Sequence, residues 1–179
     1  MNAAIRRERI FLCLILALFT FVLALRPSIA AQTDQEPNNS CVQAQNFGAL
    51  PLPAQINGAL GSNETVRDLD FFRIVANPGT LLEIKMQGQG ALVEPMLGVF
   101  SGDCASLLGR DFQFGQPARL IVTVPADGVV ILAASQYPDF DFTFGGVGAY
   151  RIDVAQFATV KAIRGRLVDA VTHAPIGTG

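Results

Sequence analysis

The sequence predicts an all-β protein, a jelly-roll-like antiparallel β-sandwich preceded by a signal peptide helix. From about residue 54 onwards, short apolar or alternating stretches such as "TLLEIKMQ" and "VVILAASQ" recur roughly every ten residues. Turn-forming residues, as in "NPG", "SGD" and "PADG", separate these stretches. No segment after the leader has the sustained apolar repeat of an amphipathic helix. Together these observations favour a sandwich over a parallel α/β sheet.

Residues 1–30 have the layout of a secretory signal peptide. Arg6, Arg7 and Arg9 form a basic start, an apolar run follows, and "RPSIAAQ" supplies small residues for cleavage before Ala31. The apolar run is about 15 residues, shorter than the ~20 that a membrane-spanning helix needs. We therefore expect cleavage, and a secreted or cell-surface protein that is periplasmic or extracellular. No membrane contact is expected after signal cleavage.

The mature chain is mildly acidic. The sequence has 13 Lys and Arg against 15 Asp and Glu, and four of the former and one of the latter lie in the leader, which leaves a net charge of about −5. Nucleic acid is not expected as a partner, because it requires clustered basic groups. We expect an extracellular polymer, or other domains of a longer chain, as the partner instead.

Residues 31–45 are predicted to be a polar N-terminal segment and a possible calcium linker. The segment contains "DQEPNNSCVQAQ", and a second acidic cluster follows in "RDLDFFRI", just ahead of a strand. If the two clusters meet, they present oxygen donors of the kind that Ca²⁺ prefers. Magnesium, which demands a tighter octahedron, is the second choice. The alternative is that these are ordinary polar loop residues, since Asp before a strand is common turn chemistry. The candidate donors are Asp34, Glu36, Asn38, Asn39, Asp68 and Asp70.

Residues 46–157 hold the predicted sandwich. In "LLEIKMQ" the alternation places Leu82, Ile84 and Met86 on one face and polar residues on the other. In "YRIDV" the same alternation turns Tyr150 inward. "VVILAA" shows no alternation, which predicts an interior strand covered on both faces.

Cys41 and Cys104 are the only cysteines of the mature chain and form a candidate disulfide. An oxidising compartment would let them pair across a long loop, and two unpaired thiols are the alternative. No CxxC pattern or Cys/His cluster predicts a zinc site. A short helical turn is expected around "NSCVQAQ", with Val42 facing inward.

The sequence does not predict an enzyme. His173 is the only histidine and no GxSxG pattern occurs, so the residues for Ser/His/Asp chemistry are missing. Asp139 and Asp141 alternate as paired glycosidase carboxylates could, but we interpret them as acidic residues of an exposed loop or sheet edge.

A lectin-like carbohydrate-binding jelly roll is the alternative function. It requires that Tyr137, Phe140 and Phe142 are exposed and stack on sugar rings. The competing interpretation places these aromatic residues in the core or at a sheet edge.

An ordered series of motifs resembles the bacterial pre-peptidase C-terminal domain. The series runs from "EPNNS" through "INGAL", "DLDFFRI" and "NPGTLLEI" to "GAYRIDV", over about residues 34–156. The resemblance implies a secreted, non-catalytic jelly-roll sandwich, often attached to a peptidase and often carrying calcium where its N-terminal segment joins the body. In calcium-binding members the donors come from positions that hold the six candidate residues here. Collagen-binding members carry exposed tyrosines, and with only Tyr137 and Tyr150 this chain does not support collagen binding.

Residues 158–179 are predicted to be a linker and the truncated start of a second β domain. "KAIRGRLVDAVTHAPIGTG" resembles the first strand and turn of a carboxypeptidase-regulatory-like β-sandwich. One hairpin cannot bury a core alone. We therefore expect a longer protein, with a disordered tail or a tail packed on the sandwich as the alternatives.

Overall fold

The computed structural model describes residues 29–61, 68–90, 92 and 94–158. The predicted leader up to residue 28, and the predicted second domain with His173, lie outside the described residues. The described residues form ten β-strands and one 3-10 helix at Cys41–Gln43. The strands are β1 Ala30–Thr33, β2 Gln45–Ala49, β3 Ala54–Leu60, β4 Asp70–Val75, β5 Leu81–Gln89, β6 Pro95–Ser101, β7 Leu107–Phe112, β8 Ala118–Thr123, β9 Val129–Gln136 and β10 Gly148–Gln156.

The strands form two five-stranded sheets packed as a sandwich, which confirms the predicted fold class. Sheet A has the strand order β1-β3-β10-β5-β8, and sheet B has the order β2-β4-β9-β6-β7. The prediction of purely antiparallel sheets is wrong at one edge of each sheet, where β1 runs parallel to β3 and β2 runs parallel to β4. The chain path explains the difference. The first four strands alternate between the sheets, so each parallel pair is joined by a crossover through the opposite sheet.

Strand alternation builds the core between the sheets. On β5, Leu82, Ile84 and Met86 are buried, as the sequence pattern predicts. Tyr150 on β10 also faces the core. Strand β9 lies in the middle of sheet B and is buried along all but its last residue. This burial agrees with its unbroken apolar sequence.

A second apolar layer covers the outer face of sheet B, and this is why β9 is buried on both sides. Phe71, Met96 and Ile131 contribute to the layer from the strands. Cys41 packs against the same layer and is disulfide-bonded to Cys104 in the turn between β6 and β7, with 5.9 Å between the two Cα atoms. The disulfide therefore fastens the N-terminal segment over sheet B.

The segment predicted to be a linker at residues 31–45 is part of the sandwich. Strand β1 pairs with β3 at the edge of sheet A, and β2 already begins at Gln45. The short helical turn lies where it was predicted, but Val42 is 87% exposed instead of facing inward. The reason is that Cys41, and not Val42, packs on the apolar layer. None of the helical structure in the described ranges is long and apolar enough to cross a membrane.

Candidate metal centre

Three of the six candidate donors converge where the first strand of sheet A meets the first residue of β4. One carboxylate oxygen from each of Asp34, Glu36 and Asp70 lies within 4.8 Å of the others. Asp34 follows β1 directly, and its backbone N–H donates to the carbonyl of Asn57 on β3 at 3.0 Å. The edge pairing of β1 therefore places Asp34 beside the start of β4.

The residues after Asp34 fold back tightly on the cluster. The N–H of Asn38 donates to Glu36 Oε2 at 3.1 Å, and Asn38 Nδ2 donates to Asp34 Oδ1 at 2.8 Å. The N–H of Phe71 donates to the Asn38 carbonyl at 3.0 Å, which ties the segment to β4. The polar segment predicted to be a possible calcium linker is thus held against β4 by specific hydrogen bonds.

Asn39 and Asp68 join the cluster through Glu36. One terminal atom of the Asn39 amide lies 2.8 Å from Asp68 Oδ1, 2.9 Å from Glu36 Oε2 and 3.1 Å from the Leu69 carbonyl oxygen. The three neighbouring atoms are all acceptors, so this atom is the amide nitrogen, which donates to each of them. The structure thus brings all six predicted donors into one contiguous group.

Two side-chain oxygens of this group are buried without a partner. Asn38 and Asp70 are both fully buried, and Oδ1 of each has no hydrogen-bond partner among the described residues. Buried polar atoms are nearly always paired, and leaving one unpaired costs about 1–3 kcal/mol. Asn38 Oδ1 is an acceptor, and so is Asp70 Oδ1 when the carboxyl group is ionised, so a donor or a cation is the partner that suits this pair of oxygens.

Several carboxyl groups crowd together in this partly buried place. The pKa of Asp70 is raised to about 8, mainly by burial and further by the charges of Asp34, Asp68 and Glu36, although a hydrogen bond from Tyr150 lowers it. Burial also raises the pKa of Asp34 and of Glu36, and the nearby charge of Asp68 adds to both. A cation among these oxygens would favour their ionised forms.

Two groups at the centre were missed in the sequence. The Leu69 carbonyl oxygen is a backbone group, and no side-chain pattern identifies it. The Tyr150 hydroxyl donates to Asp70 Oδ2 at 2.6 Å. Its signal was present, because a core-facing tyrosine needs a hydrogen-bond partner, but the sequence alone does not say which acid it meets.

The loop between β9 and β10 holds Asp68 in place from the other side. Asp68 and Gly146 exchange backbone hydrogen bonds of 3.1 and 2.8 Å. The neighbouring Gly145 N–H donates to Asp139 Oδ2 at 2.8 Å, and Ser135 Oγ donates to the same oxygen at 2.6 Å. Asp139 is fully buried, so its assignment to an exposed loop is wrong, whereas Asp141 is exposed. The carboxylate of Asp139 therefore stabilises this loop by accepting hydrogen bonds inside it.

Comparisons with known proteins return matches among solved structures. No protein-family profile and no curated protein sequence matches the chain. Among solved structures, the pre-peptidase C-terminal domain of collagenase from Bacillus anthracis is 14% identical with a TM-score of 0.46, covering 68% of this chain and 99% of that one. PliG of Aeromonas hydrophila, a periplasmic inhibitor of g-type lysozyme, is 18% identical with a TM-score of 0.43, covering 72% of this chain and 96% of that one.

The three aromatic residues of the lectin-like alternative do not share one surface. Phe142 is only 6% exposed and belongs to the apolar layer on sheet B, so its assignment to a sugar-binding surface is wrong. Tyr137 and Phe140 are half-buried and pack against Phe112, and Phe114 extends this group towards solvent. Sugar binding by the remaining rings stays a prediction.

Proposed function

We propose that this protein is a non-catalytic accessory module of a secreted or cell-surface bacterial protein, with the β-sandwich of the pre-peptidase C-terminal family. A calcium ion held by the six candidate donors stabilises the module, which contributes stability, spacing or adhesion to a longer chain. The observation that supports the ion is the pair of unpaired buried oxygens, Asn38 Oδ1 and Asp70 Oδ1, in a cluster of carboxylates. The composition of the leader supports secretion.

The donor set fits calcium better than magnesium. It consists only of carboxylate, amide and carbonyl oxygens, and Ca²⁺ takes six to eight such ligands in an adaptable geometry. Two oxygens on opposite sides of a Ca²⁺ ion are about 4.8 Å apart, since each bond is about 2.4 Å. One carboxylate oxygen from each of Asp34, Glu36 and Asp70 lies within that spacing of the other two. Magnesium would require shorter bonds and a regular octahedron, which a set of six large side chains suits poorly.

The ion would join three parts of the fold. Asp34 belongs to the edge of sheet A through β1, Asp70 begins β4 in sheet B, and Glu36 lies in the segment between β1 and β2. When bound, the ion supplies positive charge that offsets the repulsion among the carboxylates. Because it binds the folded state, calcium at about one hundred times its Kd adds roughly 2.7 kcal/mol to the free energy of unfolding.

Asp70→Asn tests the contribution of the ion while it keeps the other contacts of this side chain similar. The substitution removes one ligand charge but keeps a similar shape and an oxygen that can accept from Tyr150. We expect calcium to raise the Tm of the wild-type protein relative to chelator, and we expect this increase to disappear in Asp70→Asn. In chelator the variant should be at least as stable as the wild type, because it no longer buries an acid among other acids.

Thermal unfolding with calcium and with chelator, followed by circular dichroism, measures both effects. The matched control is Asp141→Asn, since Asp141 is an exposed acid outside the cluster and should keep the full response. Equal Tm values for the wild-type protein in calcium and in chelator would contradict the proposal.

A further inference from the structure

We propose that Tyr150 is a positioning residue of this ion site, and that its hydroxyl fixes the Asp70 carboxylate so that Oδ1 is left for the ion. The inference rests on the calcium site proposed above. It adds a residue from sheet A that supplies no ligand atom but sets how well Asp70 binds.

The hydrogen bond crosses the sandwich. Tyr150 lies on β10 in the middle of sheet A, and Asp70 is the first residue of β4 in sheet B. The hydroxyl donates to Asp70 Oδ2 at 2.6 Å, and both side chains are buried. Asp70 Oδ1 has no partner among the described residues. The two oxygens of one carboxylate therefore have different surroundings, one occupied by the phenol and the other free for a ligand.

Sheet A leaves room for the phenol to make this contact. Gly58 on β3 is the register partner of Tyr150 on β10. A Cβ atom at position 58 would collide with the Tyr150 hydroxyl and ring. The absence of a side chain at Gly58 thus lets the tyrosine lie across β3 and reach Asp70.

The residue before Gly58 on β3 positions a second candidate ligand, Asp34. Asn57, next to Gly58, accepts the hydrogen bond from the backbone of Asp34 at 3.0 Å. The ring of Tyr150 also packs on Phe72, two residues after Asp70, with 6.4 Å between the ring centroids. Packing on Phe72 fixes the ring of Tyr150, and the hydrogen bond to Asp70 fixes its hydroxyl. The side chain can therefore restrict the orientation of the Asp70 carboxylate. Partners that orient ligands in this way typically change metal affinity about 10- to 100-fold when they are removed.

Tyr150→Phe tests the inference because it deletes only the hydroxyl. Calcium affinity is measured by calorimetric titration at a temperature where each variant is fully folded. We expect the Kd of Tyr150→Phe to rise about 10-fold or more. Tyr137→Phe is the matched control, since Tyr137 lies in the aromatic group with Phe112 and Phe114, and it should bind as the wild type does.

Gly58→Ala provides a second variant that keeps the hydroxyl and displaces it. It should also weaken binding, and combining it with Tyr150→Phe should add little, because both act through one hydrogen bond. Weaker binding in Tyr150→Phe with an unchanged control supports the inference. An unchanged Kd in Tyr150→Phe overturns the inference. If the same variant also has a lower Tm in chelator, the hydroxyl has a purely structural role. A wild-type protein that binds no calcium would instead refute the proposed function.

Discussion

The amide of Asn39 faces Asp68 Oδ1, Glu36 Oε2 and the Leu69 carbonyl with a single atom. This atom is the amide nitrogen, which donates to acids that would otherwise repel each other. Asn39 therefore reduces the repulsion among these acids in the ion-free protein.

Asn39→Asp should remove this donor and add a charge beside the proposed calcium site. A carboxylate cannot donate to Asp68 or Glu36, so we expect the free energy of unfolding in chelator to fall by about 1 kcal/mol. The added charge should strengthen calcium binding, because ligand charge tunes affinity. The difference in Tm between calcium and chelator should therefore be larger than in the wild type.

Thermal unfolding in both conditions measures this difference, with Asn77→Asp in the exposed turn before β5 as the control. A smaller difference in Asn39→Asp than in the wild type would contradict a calcium site beside Asn39.

At the level of single residues, the sequence identified the candidate donors but not how they meet. Asp34 and Asp70 are recognisable as candidates because carboxylate oxygens are the ligands that Ca²⁺ prefers, and calcium binding itself stays a prediction. Their meeting depends on the β1–β3 pairing, and the part played by Tyr150 depends on a contact between the sheets. Val42 shows the opposite case, since a local pattern predicted an inward side chain and the packing of Cys41 reversed it.

The N-terminal segment is the element on which the site depends, and it is fastened at both ends. Strand β1 pairs with β3 ahead of the donors, and the disulfide between Cys41 and Cys104 follows them. The disulfide closes a sequence separation of 63 residues. In the chain-entropy model a loop of this length contributes about 4 kcal/mol to stability.

Replacing both cysteines with serine should lower the free energy of unfolding by about 4 kcal/mol. Equilibrium unfolding in guanidinium chloride measures the change, with both proteins in calcium. Ala105→Ser, at an exposed position of the same β6–β7 turn, is the control and should have no comparable effect. A loss below about 1 kcal/mol in the double cysteine variant would show that the disulfide does not constrain the unfolded chain as expected.

Which strands could be predicted depended on their place in the sheets. Interior strands such as β5, β9 and β10 carry clear apolar or alternating patterns and were predicted. Three of the four edge strands, β1, β2 and β7, were missed, because "AAQT", "QNFGA" and "LLGRDF" contain glycine or polar residues and form strands only through pairing with a neighbour. The fourth edge strand, β8, was predicted because its sequence "ARLIVT" is largely apolar. The parallel pairs β1–β3 and β2–β4 follow from the chain path, and no local sequence pattern predicts them.

In the whole molecule, the proposed ion lies where the N-terminal segment meets both sheets. Sheet A contributes Asp34 and Tyr150, and sheet B contributes Asp70. A bound ion would therefore stiffen the start of the sandwich and fix the direction in which the chain enters it. This role agrees with a module that spaces or stabilises other parts of a longer protein.

Terbium luminescence tests the central claim most directly, because Tb³⁺ replaces Ca²⁺ in oxygen sites and emits strongly only when an excited aromatic ring lies close by. The chain has no tryptophan and two tyrosines, and Tyr150 is hydrogen-bonded to Asp70. Excitation of tyrosine should give terbium emission that calcium displaces, that Tyr137→Phe retains, and that Tyr150→Phe and Asp70→Asn lose. The absence of sensitised emission, or emission that depends on Tyr137 instead, would contradict a metal site between Asp34, Glu36 and Asp70.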